Sequence, residues 1–125
     1  AEWATILDDC APLLLLHDDA FAEPAHALAA AEGLQAVAIE SLDLTPDEPV
    51  VDQGRASDAA LIVYTSGTTG DPKGAVHTQA NLLANMAIAA QVQAMSAHDT
   101  VLTALPLFHV GGLCIQTLPA LSVGA

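Results

Sequence analysis

Basic residues are nearly absent from this chain. Against 15 Asp and Glu it carries 2 Lys and Arg, a formal net charge of −13 over 125 residues. Nucleic acid and anionic membrane surfaces are held by basic patches, so neither is expected as a partner. Long apolar runs are lacking as well. Hydrophobic residues make up 53% of the sequence, yet the excess is mostly alanine and leucine spread along it. No stretch approaches the roughly 20 uninterrupted apolar residues of a membrane-spanning helix. The opening AEWATILDDC has no basic n-region, which argues against a secretory signal and places the protein, by expectation, in the cytoplasm. Cysteine is scarce. Cys10 and Cys114 stand far apart, in no CxxC and with no His at metal-ligand spacing, so two buried free thiols are expected rather than a disulfide.

What is present is enough for one domain with a real core. Residues 2–10 are compatible with a helix that Pro12 ends, and residues 13–16 form a short apolar run suited to a strand buried on both faces of a parallel sheet. Residues 21–32 place Ala and Leu at helical spacing, with Gly33 just past the end as a C-cap signal. A further apolar run at 35–39 completes a strand, helix and strand, hence a right-handed βαβ unit. Residues 42–58 read as a solvated connection and 59–64 (AALIVY) as a buried strand. Thr78 can cap a helix running to about Met95, apolar nearly all round and so expected to be buried on more than one side. Another strand is expected at 100–105. The fold class is therefore α/β, a mainly parallel sheet flanked by helices. Both ends look cut, as in a piece of a larger enzyme.

The strand at 59–64 delivers the chain into YTSGTTGDPKG, residues 64–74, which gathers four Ser or Thr hydroxyls, three glycines and the only lysine of the sequence, Lys73. Phosphate binding needs backbone N–H groups that can approach closely, hydroxyl donors and a cation, and this stretch offers all three. In so acidic a chain the favourable field must be local. The pattern is not a Walker A loop, because Lys73 lies between Pro72 and Gly74 rather than between Gly and Ser or Thr.

Eleven consecutive residues of this stretch closely resemble the phosphate-binding signature of the AMP-forming adenylating enzymes, which include acyl-CoA synthetases, nonribosomal-peptide adenylation domains and firefly luciferase. The resemblance implies that Thr65, Ser66, Gly67, Thr68, Thr69, Gly70 and Lys73 surround the ATP triphosphate, with Thr65 near Mg²⁺. Glycine allows successive N–H groups to turn inward, while hydroxyls and the ammonium neutralise charge on the departing pyrophosphate. Asp71 and Pro72 read as turn formers.

A second stretch, LPLFHVGGL at 105–113, is similar to the next motif of that family, which lines the acyl site. The resemblance assigns His109 to the substrate carboxylate, as an orienting and pocket-gating residue, with Val110, Gly111 and Gly112 beside it. Taken alone, a histidine among apolar neighbours is more often a core residue. The two glycines leave room for an acyl chain or simply allow tight helix packing; the residues favour neither. GGLCIQTLPAL is closer to bacterial fatty-acyl and aryl-CoA ligases than to amino-acid-adenylating domains. His77 is expected at the loop-to-helix junction, and His17, His26 and His98 as surface or turn residues.

By resemblance, residues 1–125 are part of a partly represented, doubly wound N-terminal AMP-binding domain, without the C-terminal domain. The implied activity is that of an AMP-forming acid–CoA ligase, taking a carboxylic acid, ATP with Mg²⁺, and coenzyme A. The chain by itself is expected to be inactive. A non-catalytic nucleotide- or anion-binding module and a truncated chain without its own function stay open, as does homo-oligomerisation.

Overall fold

The computed structural model describes residues 2–43, 45, 54–65 and 72–125. They fall into two compact units, Ala1–Asp52 with Tyr64–Gly74, and Gln53–Val63 with Ala75–Ala125.

In the first unit α1 (Glu2–Cys10) is followed by β1 (Leu14–His17), α2 (Ala22–Glu32) and β2 (Gln35–Ala38). β1 and β2 pair in parallel, from Leu14 opposite Gln35 to His17 opposite Ala38, with α2 as the crossover. Local chemistry sets the bounds of these elements. The Asp18 carboxylate accepts from the Phe21 N–H at 3.1 Å and starts the turn into α2. Gly33 takes φ 70 and ends it, a left-handed position that costs glycine nothing.

Alternation along β1 directs Leu15 and His17 to one face and Leu14 and Leu16 to the other. α2 covers the first face, where His17 is 6% exposed and meets His26 edge to face at 5.0 Å between ring centres. Leu14 and Leu16 remain 40% and 46% exposed, so the strand is covered on one side and not on both as expected. His17 also departs from the expected surface position. Its Nδ1 lies 2.9 Å from the Asp18 carbonyl, while Nε2 is buried without a partner among the described residues. His26 and His98 are exposed, as expected.

β3 (Ala59–Thr65) and β4 (Lys73–Thr78) form a second two-stranded sheet. The boundary between the units runs through both strands. β4 was not expected, because KGAVHT reads as loop when its partner is unknown. In the second unit α3 (Gln79–Val92) starts with a capping box: Thr78 Oγ1 accepts from the Asn81 N–H, and Asn81 Oδ1 accepts from the Thr78 N–H at 3.0 Å. A π-helical segment, Gly111–Thr117, and α4 (Leu118–Val123) pack against α3.

α3 is less buried than its composition suggests. Ala90 is buried, whereas Leu83, Ile88 and Val92 are 60%, 62% and 80% exposed, so only one stripe of the helix is covered. The strand expected at 100–105 does not form. A strand requires a ladder, and among the described residues none reaches this segment; Thr103 is instead tied to Thr117, hydroxyl to hydroxyl, at 3.0 Å. Cys10 and Cys114 are free, as expected, but half-buried rather than fully enclosed.

Candidate functional site

Ser66, Gly67, Thr68, Thr69 and Gly70, which the resemblance assigns to the triphosphate, and the turn-former Asp71 lie outside the described residues. Their two flanks are described. Thr65 is the last residue of β3 and Lys73 the first of β4, so the hydroxyl and the ammonium assigned to the triphosphate stand at the ends of neighbouring strands. Both residues are exposed. Next to Thr65, the Tyr64 hydroxyl donates to Asp9 Oδ2 at 2.5 Å, across 55 residues of sequence. The acceptance of its proton by that carboxylate, with lesser contributions from burial and from Cys10, raises the Tyr64 phenol above its ordinary range. Among the described residues no three His, Cys, Asp or Glu side chains gather at metal-binding distance.

In the second unit, His109 begins the turn into the π-helical segment. Its N–H donates to the Pro106 carbonyl, and its own carbonyl accepts from the Gly112 and Leu113 N–H groups, each at 3.1 Å. The ring caps the same turn, with Nδ1 accepting from the Gly111 N–H at 3.1 Å. A neutral imidazole carries one proton, so with Nδ1 acting as acceptor that proton resides on Nε2. The side chain is thereby a donor directed by its own backbone, on an exposed turn beside Phe108, 94% exposed, and Val110, 36% exposed.

The two glycines support this turn from behind. A Cβ on Gly112 would fall onto the Pro106 carbonyl oxygen, and one on Gly111 would lie 3.0 Å from Leu105 Cδ1 and 3.3 Å from His109 Nδ1. Of the two readings offered by the sequence, close packing describes Gly112: the space a side chain would need is filled by backbone. Gly112→Ala is therefore expected to cost about 1–3 kcal/mol of stability through overpacking, measured as a lowered denaturation midpoint. An unchanged midpoint would contradict the contact.

Two residues that the sequence did not single out complete the support. Asn85 Nδ2 donates to the Cys114 carbonyl at 2.7 Å and Gln93 Nε2 to the Ile115 carbonyl at 3.0 Å, tying α3 to the π-helical backbone. Polar side chains in an otherwise apolar stretch, Asn85 within α3 and Gln93 just past its end, were the available signal. Short π segments recur at functional sites, where they displace a side chain from its α-helical direction. Thr65 and Lys73 thus belong to the first unit, and His109, Val110, Gly111 and Gly112 to the second.

On this α/β scaffold β3 leads into the hydroxyl- and glycine-rich sequence that resembles the signature of the adenylating enzymes. The chain matches the AMP-binding enzyme family over residues 1–125 and belongs to it. It is 48% identical over 91 residues to an indoleacetate–CoA ligase of Aromatoleum aromaticum, covering 73% of this chain and 17% of that protein. It is 38% identical over 118 residues to a feruloyl-CoA synthase of an Amycolatopsis species, covering 94% of this chain and 24% of that protein. Among solved structures, ATP-bound MatB from Rhodopseudomonas palustris superposes with a TM-score of 0.75 at 26% identity, covering 99% of this chain and 26% of that one. The chain therefore spans a quarter or less of the length of the two ligases it matches.

Proposed function

We propose that the protein to which this chain contributes activates a carboxylic acid, fatty-acyl or aryl, with ATP and transfers it to coenzyme A. A carboxylate oxygen attacks the α-phosphorus of ATP and pyrophosphate leaves; the thiol of coenzyme A then attacks the acyl carbonyl, and AMP leaves as the acyl-CoA and a released proton complete the balance. The observation that carries this reading is membership of the AMP-binding family along the whole chain, in the company of two CoA-forming relatives. Thr65, Ser66, Gly67, Thr68, Thr69, Gly70 and Lys73 hold the triphosphate, with the Thr65 hydroxyl on Mg²⁺. His109 donates from Nε2 to the substrate carboxylate and Val110 borders the acyl group, while Gly111 and Gly112 fix the turn that presents the ring. Gating by His109 would require the ring to leave the Gly111 N–H.

Carboxylate-dependent AMP formation by the full-length protein tests this. AMP release that requires both an acid and coenzyme A supports it, and hydrolysis of ATP indifferent to any acid refutes it. Residues 1–125 alone are proposed to be incapable of turnover, as part of an N-terminal domain. Exchange of labelled pyrophosphate into ATP by the isolated chain would overturn that statement. A cytoplasmic setting is proposed with it. No helix among the described residues is long and apolar enough to cross a membrane, which is compatible with that setting.

A further inference from the structure

α1 ends against the rule that helices obey. Its last turn carries Asp8 and Asp9 and no basic residue, although the carbonyl end of a helix disfavours negative charge. The helix then closes through Ala11 at φ 41, a strained position for a residue with a Cβ, before Pro12. A local conflict of this kind calls for a compensating contact. Asp9 has one: it accepts the hydroxyl proton of Tyr64, the residue immediately before Thr65 at the end of β3.

α1 is itself anchored, with Leu7 9% exposed and the helix packed on α2. The carboxylate therefore reaches from this anchored helix to the end of β3, just before the sequence assigned to the triphosphate. A phenol is long and nearly rigid, so holding its oxygen restrains the backbone at residue 64 and, one peptide on, at Thr65. We infer that the Asp9–Tyr64 hydrogen bond positions Thr65 for Mg·ATP, making Asp9 and Tyr64 positioning residues that touch no substrate. This rests on the adenylation reading given above. A short hydrogen bond to a charged acceptor is among the stronger neutral-to-ion contacts available to a side chain, and its loss frees both the strand end and the helix end.

The test uses the full-length protein and its variants Tyr64→Phe, Asp9→Ala, Asp9→Asn and the double variant Tyr64→Phe/Asp9→Ala. Steady-state kinetics are measured for ATP and acid separately, and Mg·ATP affinity by calorimetry. Tyr64→Phe and Asp9→Ala are each expected to raise the ATP KM about tenfold, the factor for one hydrogen bond to a charged group. The acid KM should stay unchanged. The double variant should be no worse than either single one, and Asp9→Asn, which keeps an acceptor oxygen, should recover most of the loss. Equal shifts in both KM values, additive effects, or a lowered melting temperature with no change in ATP KM would each overturn the inference. Should the wild type release no AMP with any acid, the adenylation reading fails, and the positioning role is judged on calorimetric ATP affinity across the same variants. Absence of ATP binding by the wild type sinks both.

Discussion

Lys73→Ala in the full-length protein is expected to lower the rate of AMP formation by about 10²–10³, the range for removing one preorganised group from developing negative charge. The net charge of this chain is −13, so it supplies no long-range attraction for a polyphosphate. If Lys73 holds the triphosphate as proposed, its ammonium acts at contact distance. Lys73 is the only lysine of the chain, and Arg55 the only other cation apart from histidine. It is exposed at the first position of β4, and surface substitutions of that kind change stability by no more than about 0.5 kcal/mol. A fall in turnover with an unchanged melting temperature thus isolates the chemistry from the fold. Lys73→Arg keeps the charge but replaces a compact ammonium by a planar fork, and is expected to recover only part of the rate. Wild-type AMP formation by Lys73→Ala would remove the lysine from the triphosphate site.

The second large effect separates the two ring nitrogens of His109. Nδ1 accepts from the Gly111 N–H, leaving Nε2 as the donor. Asparagine places an amide oxygen near the Nδ1 position and glutamine an amide nitrogen near the Nε2 position. His109→Asn should therefore keep the cap and lose the donor. Its melting temperature is expected to match the wild type, while kcat/KM for the carboxylate falls about 10–100-fold, as for a lost hydrogen bond to a charged group. His109→Gln should show the reverse, with kcat/KM largely retained and stability reduced by about 1 kcal/mol through the missing cap. An acid KM and turnover untouched by His109→Asn would end the proposed carboxylate role, and identical stability in the two variants would contradict the capping geometry.

Sequence reading and structure agree where the controlling interaction spans a few residues. Gly33 ends α2 because a left-handed residue is needed one step past the last turn, and Thr78 starts α3 because its hydroxyl reaches the N–H three residues on. Disagreement appears wherever a distant partner decides. The apolar pattern of 100–105 supplied strand propensity but no neighbour to pair with. KGAVHT lacked a strand-like pattern, yet β3 provides β4 with its partner. His17 has no motif around it, and only the passage of α2 over one face of β1 buries it. At Gly112 the residue type was informative, but the carbonyl that demands it comes from the preceding turn and is visible only in the fold.

The family and the α/β class were legible in the one-dimensional order, because the signature that carries the family is contiguous in sequence and the strand–helix–strand order sets the class. The tertiary structure alone decided which nitrogen of His109 is free to donate, why Gly112 tolerates no side chain, and that Asp9 reaches Tyr64 across 55 residues. Each of these depends on where separate segments are brought by packing, a relation that no local pattern encodes.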